Sequence, residues 1–129
     1  MAKKAKIIVG IGKSRSITLD AQEAIELLNM FVEERGLTQE LEESIRFIEN
    51  FDVFYEVARK KHKDYLTPPQ DYKALLEGRV VVEKLRLEKD EGKKRVTIIF
   101  HRSVPIEEIK KKLVAMGYDD VVIEKISLF

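Results

Sequence analysis

Two short segments of this chain combine basic and small polar residues in the way that phosphate-binding sites do. Residues 10–16 read GIGKSRS, in which glycines let backbone N–H groups approach an anion while lysine and arginine supply positive charge. Residues 93–95 read KKR after a turn at 90–92, and add three further positive charges. The candidate nucleic-acid or anion-binding residues are Lys13, Ser14, Arg15, Lys93, Lys94 and Arg95.

The first segment invites comparison with the P-loop, whose pattern is Gly-x-x-x-x-Gly-Lys-Ser/Thr. Gly12, Lys13 and Ser14 fit the end of that pattern, but Ile7 occupies the position of its first glycine, so ATP hydrolysis is not indicated. Two interpretations remain open. The loop either holds one phosphate or sulfate, or it is an ordinary basic loop. Asp20 favours the second, because its carboxylate would repel an anion at the start of the next helix.

The histidines and carboxylates indicate neither a metal site nor a cofactor. His62 and His101 are far apart in the chain, and neither has the spacing of metal ligands. Four glutamates lack the Glu-x-x-His pairs of di-metal sites and are interpreted as a solvated helix face: Glu40, Glu42, Glu43 and Glu49. The absence of cysteine excludes disulfides, thiolate catalysis and cysteine-based metal centres.

Hydrophobic periodicity and turn residues predict the elements that must position these groups. The predicted strands cover residues 4–11, 79–88, 95–102 and 120–129. Predicted helices begin near residue 18 or 20, at 38 and at 103. The second of them either continues to about residue 62 or bends near 50–52, and residues 71–76 could add a short third helix before the hairpin.

This order, β-α-β-β-α-β, resembles the ferredoxin-like fold, an α+β antiparallel sheet, here with the first helix expanded into a two- or three-helix block. The resemblance is one of topology, with no sequence motif behind it. It implies the strand order 4-1-3-2, which places the loop at 12–16 and the hairpin turn at the same edge of the sheet. The five basic candidates would then converge on one edge, with His101 at the far edge.

Length and composition indicate to which broad class of protein the chain belongs. With 129 residues, 44% of them hydrophobic, the chain is expected to form a single α+β domain over residues 1–129. No apolar run approaches the ~20 residues of a membrane span, and the run at 7–9 is too short for a signal peptide, so a cytoplasmic protein is expected.

The net charge of +1 hides a sorting of charge along the chain. Residues 1–16 hold five basic residues and no acid, whereas residues 17–58 hold eleven acids and two basic residues. Residues 59–129 hold seventeen basic residues and twelve acids. The sorting is typical either of a protein with two electrostatic faces or of glutamate-rich helices beside lysine-rich strands.

Three functions are compatible with these patterns. The first, favoured by the convergence of basic residues, is a non-enzymatic binding protein that contacts DNA or RNA phosphates through the basic edge. Bases are not expected to stack on the sheet, because its central strands hold one aromatic residue, Phe100, on the predicted core face. The second is an oligomeric protein-interaction module that uses its acidic helical face, with Phe51 and Phe54 as candidate contacts. The third is a small enzyme acting on a phosphorylated or nucleic-acid substrate, with His101 as acid or base.

Overall fold

The computed structural model of the chain describes residues 3–10, 12 and 14–126. The strands within them are β1 (Lys4–Val9), β2 (Arg15–Asp20), β3 (Val82–Asp90), β4 (Lys93–Phe100) and β5 (Asp120–Lys125). The helices are α1 (Ala21–Arg35), α2 (Gln39–Glu49), α3 (Phe51–Lys60), α4 (Tyr72–Leu76) and α5 (Ile106–Ala115). The fold is therefore mixed α+β, and none of these helices is long and apolar enough to cross a membrane.

All five strands form one sheet, in the order β3-β4-β2-β1-β5. The pairs β3–β4, β4–β2 and β2–β1 are antiparallel, whereas β1 and β5 are parallel. The fully antiparallel sheet predicted from the sequence is therefore wrong at this edge. β1 and β4 both run antiparallel to β2, so they point in the same direction. α5 connects β4 to β5 and returns the chain so that β5 also points in that direction. β5 is therefore parallel to β1.

β2 is the strand that the sequence did not predict. A loop at 12–16 was expected, and this prediction is wrong because residues 15 and 16 belong to β2. The helix start expected near residue 18 or 20 is confirmed at its second position, since α1 begins at Ala21 with Asp20 as its N-cap residue. Ile17 and Leu19 are buried while Thr18 between them is exposed, which is the two-residue alternation of a strand. The four predicted strands keep their relative order of 4-1-3-2, but β2 lies between β1 and β4, so β1 does not pair with the returning strand of the hairpin and the exact ferredoxin-like topology is not confirmed.

The remaining predicted elements are present, with shifted ends. The β3–β4 hairpin turns at 91–92, and the helical block divides at Asn50, between α2 and α3. α1 ends at Gly36, whose φ of 85° lies in the left-handed region that glycine adopts without strain. The third helix of the block, α4, begins after two consecutive prolines at 68–69 and is capped by the Asp71 carboxylate.

The core lies between one face of the sheet and the helices. Ile98 and Phe100 of β4 and Ile17 of β2 are buried on that face, where α1 packs. The Phe31 ring of α1 lies 5.8 Å from the Phe100 ring, centroid to centroid. Complete burial of an apolar side chain of this size contributes about 1.5–3 kcal/mol, so the inward residues of the central strands fix which face the helices cover.

Glu40, predicted to lie on a solvated helix face, is buried instead. Its carboxylate accepts hydrogen bonds from the Thr38 hydroxyl and from the backbone N–H groups of Val81, at 3.4 Å, and Val82, at 3.0 Å. Burial raises the pKa of Glu40, and these hydrogen bonds oppose the rise. The side chain thus joins the start of α2 to the start of β3 and provides acceptors for two buried N–H groups.

α1 and α5 are joined by four charged side chains, Glu34 and Arg35 on α1 and Glu108 and Lys112 on α5. The Arg35 guanidinium lies 2.6 Å from the Glu108 carboxylate. The Lys112 ammonium contacts the Glu34 carboxylate and lies 3.3 Å from that of Glu108. Burial acts to raise the pKa of Glu108, but hydrogen bonding with Glu34, Arg35 and Lys112 outweighs it and lowers that pKa to about 2.

Candidate nucleic-acid interface

The sheet face opposite the helices is the open face of the molecule. Side chains that point to it are exposed or half-buried, whereas most of their neighbours along each strand are buried on the helix side. The open face is formed by Lys4, Lys6 and Ile8 of β1, Ser16, Thr18 and Asp20 of β2, Lys84, Arg86, Glu88 and Asp90 of β3, Lys93, Arg95, Thr97 and Ile99 of β4, and Asp120, Val122 and Glu124 of β5. Six of these residues are basic and five are acidic, so this set is net positive by one charge.

The predicted convergence of the basic candidates on one edge is wrong. In the pairing of β2 with β4, Arg15 is opposite Phe100, whereas Asp20 is opposite Arg95. Arg15 and Arg95 therefore lie five positions apart along the sheet, or about 17 Å at ~3.4 Å per residue. The cause is β2, which carries the chain back past β1 and so places the end of β1 and the start of β2 at the end of the sheet away from the hairpin tip.

Lys94 points to the helix side of the sheet and not to the open face. Its ammonium lies 3.1 Å from the Asp52 carboxylate of α3, and the Lys89 ammonium lies 3.2 Å from the same carboxylate. Hydrogen bonds from Lys94 and Lys89 lower the pKa of Asp52. Lys94 also lies over the ring of Phe51. These contacts hold the hairpin tip against α3, so the structure gives Lys94 a role in packing.

The other candidates from the first segment are divided between surfaces. Arg15 donates a hydrogen bond to the backbone carbonyl of Val104, beside α5, and its side chain is on the helix side of β2. Ser14 is half-buried, and its backbone carbonyl accepts a hydrogen bond of 2.8 Å from the Gly10 N–H. Lys13 lies outside the described residues.

Lys93 and Arg95 do lie on the open face, where Lys4 of β1 joins them. All three border a depression of about 230 Å³ that also includes Lys3, Asp20 and Glu23. We call Lys4, Lys93 and Arg95 the hairpin-end group. Among the described residues none of its members forms an ion pair, whereas Lys3 pairs with Glu23 at 2.8 Å. The sequence could have indicated Lys4 through the alternation of β1, which places it on the face opposite Ile7.

The middle of the open face is electrically balanced. The Lys6 ammonium lies 3.2 Å from the Glu124 carboxylate, and the Arg86 guanidinium lies 3.0 Å from that of Glu88. Between them, the hydroxyls of Thr18 and Thr97 share a hydrogen bond of 2.8 Å. The cations without ion-pair partners among the described residues therefore lie toward the two ends of the face.

The second end of the face holds a cavity of about 730 Å³, which we call the His101 pocket. Its walls include Ser14, Ser16, Lys84, His101 and Arg102. The expectation that His101 lies at the far edge from the 12–16 loop is wrong: because Phe100 pairs with Arg15, the residue after Phe100 reaches the same end of the sheet as Ser14. The pocket therefore unites a predicted anion-binding residue with the histidine that the enzyme hypothesis singled out.

The contacts of His101 favour a structural turn over nucleophilic catalysis. Nδ1 accepts a hydrogen bond from the Ser103 N–H at 3.2 Å and lies 2.7 Å from the Ser103 hydroxyl. With Nδ1 acting as an acceptor, the proton of the neutral imidazole is on Nε2. A catalytic triad also needs an acid to orient the histidine, and no carboxylate hydrogen-bonds to His101 among the described residues. Within the same residues, no group of three His, Asp or Glu side chains could hold a metal ion.

Aromatic residues are placed inside the fold. Phe100 is buried, which confirms its predicted core position. Phe51 is buried and stacks on Tyr55, while Phe54 is half-buried against the ring of Phe47. The rings that were candidate oligomer contacts are thus largely used in packing α2 and α3.

Comparisons with known proteins add no function. No protein-family model, curated protein or solved structure matches the chain.

Proposed function

We propose that the protein binds single-stranded DNA or RNA through phosphate contacts on its open face. One observation carries the proposal. Cations that form no ion pair among the described residues lie at both ends of the open face, the sheet face opposite the helices. These cations are Lys4, Lys93 and Arg95 at the hairpin end and Lys84 and Arg102 at the other. Phosphate oxygens are the partners that such side chains bind most often in nucleic-acid complexes.

The shape of the face favours a single strand over a duplex. Five strands at ~4.8 Å spacing make a surface about 19 Å wide. The major groove of a duplex is about 12 Å wide and admits a helix or a two-stranded ribbon, so this sheet would not enter it. A single strand can instead lie along the β-strands, with its backbone near the cations at the two ends and with bases near Ile8 and Ile99, which lie beside the second of these ends.

Binding of this kind depends on charge more than on base identity. Among the described residues, the five strands direct no aromatic side chain to the open face for base stacking, since Phe100 of β4 is buried on the helix side. Phosphate contacts supply affinity without sequence information, so sequence preference is expected to be weak and sensitivity to salt strong.

Charge reversal at Lys93 tests the proposal. Lys93 is exposed, and its replacement by glutamate is expected to weaken binding of a fluorescein-labelled single-stranded oligonucleotide at least about fivefold at ~50 mM salt, measured by fluorescence anisotropy. Lys111→Glu is the matched control, because it makes the same change of charge on α5, in the helix layer. Equal losses of affinity in the two variants would show that net charge alone attracts the oligonucleotide and would overturn the proposal.

A further inference from the structure

The strand β3 contains an irregularity that places Lys84 in the His101 pocket. Val82 pairs with Phe100 and Lys84 with Ile99, so Glu83 is an extra residue in β3, a β-bulge. Val82 is buried, and strict alternation would direct the side chain two positions later to the helix side as well. The bulge shifts that alternation: Leu85 enters the core and Lys84 turns to the open face, where its ammonium lies 4.6 Å from the centre of the Tyr65 ring.

The pocket combines an apolar floor with a cationic rim. Ile8, Ile99 and Ile126 contribute the apolar surface. Ile8 and Ile99 are the cross-strand partners of Ser16 on its two sides, so the floor spans three strands, with Ser16 between the two isoleucines. Lys84 and Arg102 supply the charge, and neither forms an ion pair among the described residues. The acid in the wall is Glu83, which is exposed.

His101 adds a neutral donor to the rim. Since its Nδ1 accepts from the Ser103 N–H, its Nε2 carries the proton and can donate to a ligand oxygen. Hydroxyl groups of Ser14 and Ser16 line the same cavity. The pocket volume of about 730 Å³ lies within the range of about 300–1,000 Å³ of small-ligand sites.

We propose that the His101 pocket binds a single nucleotide unit, with the base on the isoleucine floor and the phosphate between Lys84 and Arg102. A ligand that is flat and weakly polar at one end and carries an anionic phosphate at the other matches both halves of the cavity. The proposal rests on the proposed function in one respect: it identifies the place on the open face where one nucleotide of the bound strand, or a free nucleoside monophosphate, is held.

The test is a titration of the full chain with adenosine 5′-monophosphate, with uridine 5′-monophosphate and with inorganic phosphate, followed by two-dimensional ¹H–¹⁵N NMR. The expected result is a set of chemical-shift changes at residues 14–16 and 99–102 for both nucleotides. Lys84→Gln is expected to weaken nucleotide binding about tenfold, whereas Lys93→Gln, at the other end of the face, is expected to change it less than about twofold.

A second variant distinguishes the contribution of the apolar floor to nucleotide binding from that of the cationic rim. Ile99→Ala is expected to weaken nucleotide binding about threefold or more while leaving the affinity for inorganic phosphate unchanged, because only the base uses the floor. Inorganic phosphate binding as tightly as the nucleotides would overturn the assignment of a nucleotide. Absence of shift changes in the pocket at about 10 mM nucleotide, with oligonucleotide binding still sensitive to Lys93→Glu, would overturn this inference and leave the proposed function standing.

Discussion

Neighbouring residues of one type can have opposite environments. Glu40 and Glu42 lie two positions apart on α2, yet Glu40 is buried and Glu42 is exposed. Residue type alone predicts a solvated carboxylate at both positions. What distinguishes Glu40 is the pair of N–H groups at the start of β3, Val81 and Val82, about 40 residues further along the chain. Such a partner is visible only after folding.

Removal of the Glu40 side chain is therefore expected to be costly. Glu40→Ala leaves the N–H groups of Val81 and Val82 buried without acceptors, which lowers the free energy of unfolding by about 1–3 kcal/mol or more. Glu42→Ala, at an exposed position of the same helix, is expected to change it by less than about 0.5 kcal/mol. Urea denaturation followed by circular dichroism measures both. Equal effects would show that the buried hydrogen bonds add nothing to stability.

The candidate binding residues of the hairpin also have environments that residue type alone does not predict. Lys93, Lys94 and Arg95 are consecutive basic residues, but alternation along β4 separates them, with Lys94 on the helix side against Asp52. The alternation itself could be predicted from the buried positions Val96 and Ile98. The ion pair with Asp52 could not, because it depends on where the first turn of α3 lies against the hairpin.

At the level of elements, β2 is what the sequence failed to predict and what changes the site most. Its apolar residues, Ile17 and Leu19, are only two in number and directly precede the strong helical pattern of α1. A short strand of this kind is set by its neighbours: β4 on one side and β1 on the other supply its hydrogen bonds. The hairpin and α5 were predictable because the turn residues at 90–92, Pro105 and Gly117 mark their ends. The sequence left open whether the helical block continues to about residue 62 or bends near 50–52, and the structure divides it at Asn50.

The role of β2 as a central strand can be measured directly. Ile17→Ala removes a buried side chain between two paired strands and is expected to lower the free energy of unfolding by about 2–4 kcal/mol. Thr18→Ala, on the exposed side of the same strand, is expected to cost less than about 1 kcal/mol. If residues 15–20 were a surface loop, thermal and urea denaturation would instead show similar small effects for both variants.

The charged contacts between α1 and α5 predict a dependence of stability on pH. The folded pKa of Glu108, about 2, lies below the usual value of 4.5, so the unfolded chain binds more protons between these values. The stabilisation by Glu108 is therefore present above about pH 4.5 and is lost as the pH falls toward 2. Glu108→Gln is expected to unfold at lower urea than the unmodified protein at about pH 7, and this difference should shrink at about pH 3.

Glu107→Gln is the control for this measurement, because Glu107 is exposed on the same turn of α5 and forms no ion pair among the described residues. Its difference from the unmodified protein should be small at both pH values. A gap for Glu108→Gln that stays constant or widens on acidification would contradict the assignment of a low folded pKa to Glu108.

At the level of the whole molecule, the sorting of charge along the chain corresponds to the layers of the fold. The acid-rich residues 17–58 include helices α1 and α2 and most of α3. Basic residues of the N-terminal strand and of the hairpin reach the open face, namely Lys4, Lys6, Lys84, Arg86, Lys93 and Arg95. The sequence therefore indicated two surfaces of different charge. It could not indicate that the cations occupy two ends of one face, because that arrangement depends on β2 and on the bulge at Glu83.

The central claim is that cations on the open face bind nucleic-acid phosphates, and the salt dependence of binding tests it most directly. For single strands the slope of log K against log salt is about −0.7 per phosphate contact, so three to five contacts predict a slope between about −2 and −3.5. Anisotropy of a labelled single-stranded oligonucleotide, titrated with the full chain between about 50 and 200 mM salt, gives this slope. A slope in that range supports the account; a slope near zero, or no binding at ~50 mM salt with about 100 μM protein, would contradict it.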